Sequence, residues 1–133
     1  MSAWAYIRGW VELTEEMLPV VYETLEASVG DAARFGVSEE AAAEYNDGWV
    51  LPDEPKVWAH YAFYGRDVAR QHLPFVRHQM ELIARIATTH AGDEERPLGV
   101  LHIGAEDVGD LVSVWELKEG RLREYEYPKP PAV

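Results

Sequence analysis

Cysteine is missing altogether from the 133 residues, which excludes disulfides and thiolate-held metals. A chain without it suits a reducing compartment, and the location we expect is the cytoplasm. Long apolar runs are missing as well. No segment approaches the roughly 20 apolar residues that span a bilayer. The opening "MSAWAYIRGW" has no basic stretch leading into an apolar one, so neither a membrane span nor a signal peptide is expected. Catalytic signatures are equally sparse: there is no G-x-S-x-G, no phosphate-cradling glycine loop, no H-E-x-x-H pair and no thiol nucleophile. With 24 acids in the chain some carboxylates must fall close together by chance, so sequence proximity is no sign of acid–base chemistry. A metal would need three or more convergent ligands. His72 and His78 are six apart, which a helix does not stack, whereas His60 and His102 lie on predicted strands and could meet if those strands pair. We expect no enzyme, no metal and no cofactor.

Basic side chains are also scarce. Twelve Lys and Arg stand against 24 Asp and Glu, a net charge of −12. Phosphates would be repelled, so nucleic acid is not an expected partner. A basic protein surface is one, unless the acids serve only solubility. The excess is uneven. Residues 1–55 hold twelve acids and two bases, net −10, while residues 56–90 hold two acids and five bases, net +3, and residues 91–133 return to net −5.

What is present is an ordinary globular composition, 47% hydrophobic and 27% charged, on a length that makes one domain. We place that domain at residues 1–127 and read "PKPPAV", 128–133, as a flexible tail. "WAYIRGWVEL" is rich in aromatic and β-branched residues and alternates, with Tyr6, Arg8, Trp10 and Glu12 on one face and Ala5, Ile7, Gly9, Val11 and Leu13 on the other. A helix follows, capped by Thr14 or beginning later because of Pro19, with Leu18, Val21, Tyr22, Leu25 and Val29 as its buried stripe and Gly30 as its stop. Ser38 with Glu39 and Glu40 opens a short helix ending before "NDG", and "WVLPDEP" is a short strand or extended loop. "KVWAHYAFYGRDV" carries aromatics on both faces, which predicts a central strand covered on both sides. A helix from Pro74 buries Phe75, Val76, Met80, Ile83 and Ala87 and closes at Gly92. After the polar loop "GDEERP" come strands at Leu98–Ile103, Leu111–Leu117 and Arg121–Tyr127, joined by the glycine-containing connectors "GAEDVGD" and "KEG".

The fold class this order predicts is α+β: a single antiparallel sheet of four to six strands with two main helices packed on one face. Trp115 falls on the same face of its strand as Leu111, Ser113 and Leu117 and reads as packing. Most of the five tryptophans are expected in the core. Trp49, in an acidic loop, fits either the core or the aromatic anchor of an interface. Arg66, Arg70, Arg77 and Arg85 form the one cationic strip, either an anion site or a set of partners for the surplus acids.

Two stretches resemble the immunity proteins of bacterial polymorphic toxin systems, and among them immunity protein family seven. One is Arg8-Gly9-Trp10 followed by the acidic start of a helix. The other is "GVLHIGAEDVGDLVSVWELKEGRL", Gly99 to Leu122: a glycine, an apolar strand, an acidic turn, a strand bearing a tryptophan, a glycine turn and a charged strand. The acidic turn here is the short "GAED", and the tail after Tyr127 is short and proline-rich. The resemblance implies a non-enzymatic protein that binds and neutralises a cognate toxin domain, often a nuclease, inside the producing cell. On that basis the expected contacts are Glu106, Asp107 and Asp110, with Asp47, Trp49, Asp53 and Glu54 as a second patch. Two alternatives stand beside it: a small-ligand protein or enzyme with a pocket built from Tyr61, Phe63 and Tyr64 plus His60 or Arg66, and a structural homodimer.

Overall fold

A computed structural model describes residues 4–52, 60–105 and 111–126. The predicted tail, 128–133, lies outside the described residues. The alternating opening segment forms β1 (Trp4–Leu13), with Ala5, Ile7, Val11 and Leu13 buried and the polar and aromatic set on the opposite face. Next come α1 (Met17–Ser28), a 3₁₀ segment (Val29–Phe35), α2 (Glu39–Asn46) and the two-residue strand β2 (Trp49–Val50). Then follow β3 (His60–Ala69), α3 (Leu73–Ala84), β4 (Thr88–His90), β5 (Asp93–Glu95), β6 (Leu98–Ala105), β7 (Leu111–Lys118) and β8 (Arg121–Glu126).

The fold is α+β. Six antiparallel strands in the order β2-β3-β1-β6-β7-β8 form one sheet, and β4 and β5 form a separate hairpin. The core lies between one face of the sheet and the helices. Ile7, Val11, Ala62, Leu101, Trp115 and Leu117 meet Met17, Val21 and Leu25 of α1 and Phe75, Val76, Met80 and Ile83 of α3. Strands β1 and β6 run unusually close, because a Cβ on Gly99 would stand 2.5 Å from the Trp10 carbonyl oxygen. Trp115 is buried, as its strand face predicts.

Of the two starts expected for α1 the later one holds: it begins at Met17, which puts Pro19, with no N–H to offer, inside the first turn where none is needed. Other expectations do not hold. Gly30 does not stop the chain. The helical backbone continues as the 3₁₀ segment until Gly36, which takes a left-handed φ of 71° and closes on the Ala33 carbonyl. Tyr22 is not part of the buried stripe, being 54% exposed. α3 stops at Ala84, well before Gly92, and Ala87 is exposed. The β-branched pair Thr88–Thr89 turns extended, and Ala91 and Gly92, both at positive φ, make the two-residue turn of the β4–β5 hairpin.

The β3 strand is not covered on both sides. His60, Ala62, Tyr64 and Val68 face the helices, while Phe63 on the other face is 54% exposed. Trp4 and Trp10 share that outer face at 48% and 36% exposure, so they are not core residues. Trp58 lies outside the described residues. His60 and His102 do not meet: β1 stands between their strands, and their side chains lie on opposite faces. No helix among the described residues is long and apolar enough to cross a membrane.

Candidate partner-binding site

Of the residues expected to contact a partner, Glu106, Asp107, Asp110, Asp53 and Glu54 lie outside the described residues. Asp47 and Trp49 are described, and they flank Gly48 in the turn from α2 into β2. That turn is tight for a reason: a Cβ on Gly48 would stand 2.9 Å from the Tyr64 ring. The Gly48 carbonyl accepts a hydrogen bond from the Gly65 N–H at 3.0 Å, which ties the turn to β3.

Both residues line a groove of about 480 Å³. One wall is the C-terminal half of α1, with Tyr22, Leu25, Glu26 and Val29, and the other is the end of α2, with Ala43, Asn46 and Asp47. Trp49 and Leu51 close it off. Trp49 is therefore both packing and surface. It is partly buried against the core, meets Tyr64 edge-on at 5.0 Å between ring centroids, and still presents area to the groove. Its indole N–H is buried without a hydrogen-bond partner among the described residues.

A buried polar cluster fixes the distance between the walls. Gln79 of α3, 1% exposed, donates to Ser28 Oγ at 2.9 Å and to Asn46 Oδ1 at 2.7 Å. Asn46 donates in turn to the Leu25 carbonyl at 3.2 Å, and the Ser28 hydroxyl donates to the same oxygen at 2.6 Å. Three helices thus meet at one satisfied network under the groove, which is the arrangement that makes buried polar groups rigid rather than costly. Nearby, Tyr45 Oη and His72 Nδ1 are 2.6 Å apart, and the Tyr64 hydroxyl donates to the Tyr45 carbonyl at 2.8 Å. Burial pushes the Tyr64 hydroxyl well above the ordinary tyrosine range.

The electrostatics of the groove come from two sources of one sign. Glu26 and Asp47 line it and are exposed, at the C-terminal ends of α1 and α2, with Glu44 exposed one turn before the end of α2. Helix C-termini carry partial negative charge, so carboxylates there add to the dipole instead of offsetting it. Among the described residues, Glu44 has a cationic neighbour in Arg66, at 3.9 Å. Such an apolar trough with a negative rim suits a cationic, partly apolar segment.

Further along the same layer, Asp31 Oδ2 lies 2.9 Å from His78 Nε2, with Arg34 close by. The hydrogen bond from His78 holds the Asp31 carboxyl below the ordinary carboxylate range, with Arg34 adding to the effect and desolvation opposing it. The cationic strip is largely paired: Arg66 with Glu44, Arg77 with Glu81 and Glu124, and Arg85 with Glu81. The aromatic pocket on β3 does not assemble, because Tyr61 and Phe63 face one side of the sheet and His60 and Tyr64 the other. Among the described residues, no group of three or more His, Asp and Glu is placed to hold a metal. Sequence reasoning missed Tyr22 and Glu26 as site residues. The signal available was chemical: Glu26 is a carboxylate in the last turn of a helix, where the dipole disfavours it.

No protein-family model, curated protein or solved structure matches the chain significantly.

Proposed function

We propose that this is an immunity protein of a bacterial polymorphic toxin system, a cytoplasmic, non-enzymatic binder that neutralises a cognate toxin domain. The observation that carries the reading is the groove between α1 and α2, with its apolar floor at Leu25, Trp49 and Leu51 and its unbalanced carboxylates at Glu26 and Asp47. A nuclease must present cationic groups to phosphate, and a net charge of −12 steers an inhibitor toward such a surface. The resemblance of Arg8–Trp10 and Gly99–Leu122 to immunity protein family seven supports the same reading. From the sequence, Glu106, Asp107 and Asp110 are proposed as further contacts, with Asp53 and Glu54. Co-expression with the toxin domain encoded next to its gene tests the proposal. Complex formation and restored growth are expected, weakened by Glu26→Lys with Asp47→Lys. If the pair neither co-purify nor restore growth, the proposal fails.

One observation favours a second reading. A depression of about 650 Å³ brings Trp4 together with Arg8, Arg66 and Asp67, two guanidiniums against one carboxylate beside an aromatic ring, a set that suits a small anion. Thermal-shift measurements against phosphate and carboxylate compounds test it, with Arg8→Ala expected to abolish any shift.

A further inference from the structure

Among the described residues seven large hydrophobic side chains are exposed, and six of them lie on the outer face of the sheet: Trp4, Trp10, Val50, Phe63, Leu98 and Tyr125. They are not scattered. Strand register sets Val50, Phe63, Trp10 and Val100 side by side across β2, β3, β1 and β6, and continues the row into Glu116 and Arg123 on β7 and β8. The surface is also held in place. Trp10 meets Tyr61 edge-on at 6.1 Å, Arg8 lies 4.4 Å above the Tyr6 ring, and the Tyr125 hydroxyl donates to Glu116 at 2.6 Å. The Tyr6 ring lies across Gly104, where any Cβ would strike it. Contiguous apolar patches of this extent mark interaction surfaces.

We propose that this face binds a second copy of the chain, sheet against sheet, as a symmetric dimer. Charge selects the occupant. The described residues of the outer face carry Arg8, Lys118, Arg121 and Arg123 against Glu12, Asp67 and Glu116, which nearly cancel. On a chain of net charge −12, this is the face on which two copies meet with no local like-charge repulsion, and it offers a basic partner no field. Size agrees. Five long strands about 4.8 Å apart and roughly 8 residues long give roughly 600 Å² of flat area, near the ~800 Å² per partner of a standard interface. Packed sheets lie about 10 Å apart, a gap that interdigitated tryptophan and phenylalanine rings fill. In such a dimer both acidic grooves face outward, so the inference holds whether or not the groove takes a toxin.

Sedimentation velocity of the full chain from low to high micromolar concentration tests it. The expected result is a species of twice the chain mass, with Phe63→Glu weakening self-association by at least about 30-fold. Val50→Lys, at the most exposed of the six, weakens it in the same direction and is carried on a two-residue edge strand where the core is untouched. Circular dichroism of both variants matches the parent. Glu26→Lys in the groove leaves the dimer intact. A monomer at every concentration overturns the proposal, as does a dimer unmoved by both face variants or dissolved by Glu26→Lys. Loss of toxin capture in Phe63→Glu, from a parent that is monomeric, reassigns the face to the toxin and also overturns it.

Discussion

Gln79 joins stability to the groove through one side chain. Its amide donates to Ser28 and Asn46 at once, and Asn46 is part of the groove wall. Gln79→Leu keeps the volume roughly but strands the Asn46 oxygen, and leaving a buried acceptor without its donor costs about 1–3 kcal/mol. Urea unfolding reads the loss, and weaker binding of the proposed toxin partner should accompany it, because Asn46 no longer has a fixed position. A loss well below 1 kcal/mol would mean that water replaces the amide. Tyr64 makes a second residue-scale prediction. Burial, the largest cause, raises its hydroxyl above the ordinary value, with Arg66 opposing. Above pH ~10 an unfolded chain ionises this tyrosine while the folded one keeps the proton, so stability present at neutral pH is lost as pH rises through that range. Absorbance titration should show a tyrosine step that appears only as the protein unfolds, and Tyr64→Phe should remove that step. A Tyr64→Phe titration identical to the parent's would count against it.

At the scale of elements, two short hairpins share a flaw that substitution corrects. The β7–β8 turn places Glu119 at φ 54° and Gly120 at φ 79°, and a turn of this hand favours Asn at its first position. Glu119 lies 3.8 Å from Arg123 with both side chains well exposed, a contact worth about 0–1 kcal/mol at most. Relief of left-handed strain is worth about 0.5–1 kcal/mol, and the median exposed pair is nearer zero. Glu119→Asn should therefore raise the melting temperature by a few degrees, and Ala91→Asn in the β4–β5 turn should act in the same direction. A lower melting temperature would show that the ion pair outweighs the strain. These hairpins also show what was legible. Alternation disclosed which residues of β1, β3 and β7 share a face, since the period of two is local. It did not disclose which face is covered, so the aromatics of β3 read as buried on both sides. The number of helices held that information. Two main helices about 10 Å across cover one side of a sheet of six strands at about 4.8 Å spacing, and leave nothing for the other. Asp47 and Trp49 were singled out from composition, but that Tyr22 and Glu26 stand beside them in the groove follows from helix packing, which no local pattern encodes.

For the whole molecule the governing quantity is the net charge of −12, of which residues 1–55, with α1 and α2, carry net −10. Much of it works against the fold. Glu23 and Glu26 are three apart on α1, where like charges repel, and Glu26 adds its charge to the negative end of the helix. No basic residue occupies the last turn of α1 or of α2 to compensate. Carboxylates that lower stability and border an apolar groove are what a binding surface for cations requires, since a field that attracts a partner repels itself while the partner is away. Stability and association should then respond oppositely to one double variant. Glu23→Lys with Glu26→Lys should stabilise the free protein by about 0.5–1 kcal/mol at low salt, and the gain should shrink near 0.5 M salt, where the screening length falls to about 4–5 Å. The same variant should associate with the toxin domain about 10-fold more slowly at low salt, with a flatter dependence on ionic strength. Melting curves and stopped-flow association across a salt series measure both. A variant that is less stable would make these carboxylates structural. Unchanged association would move the proposed toxin contact away from the groove, toward Glu106, Asp107 and Asp110.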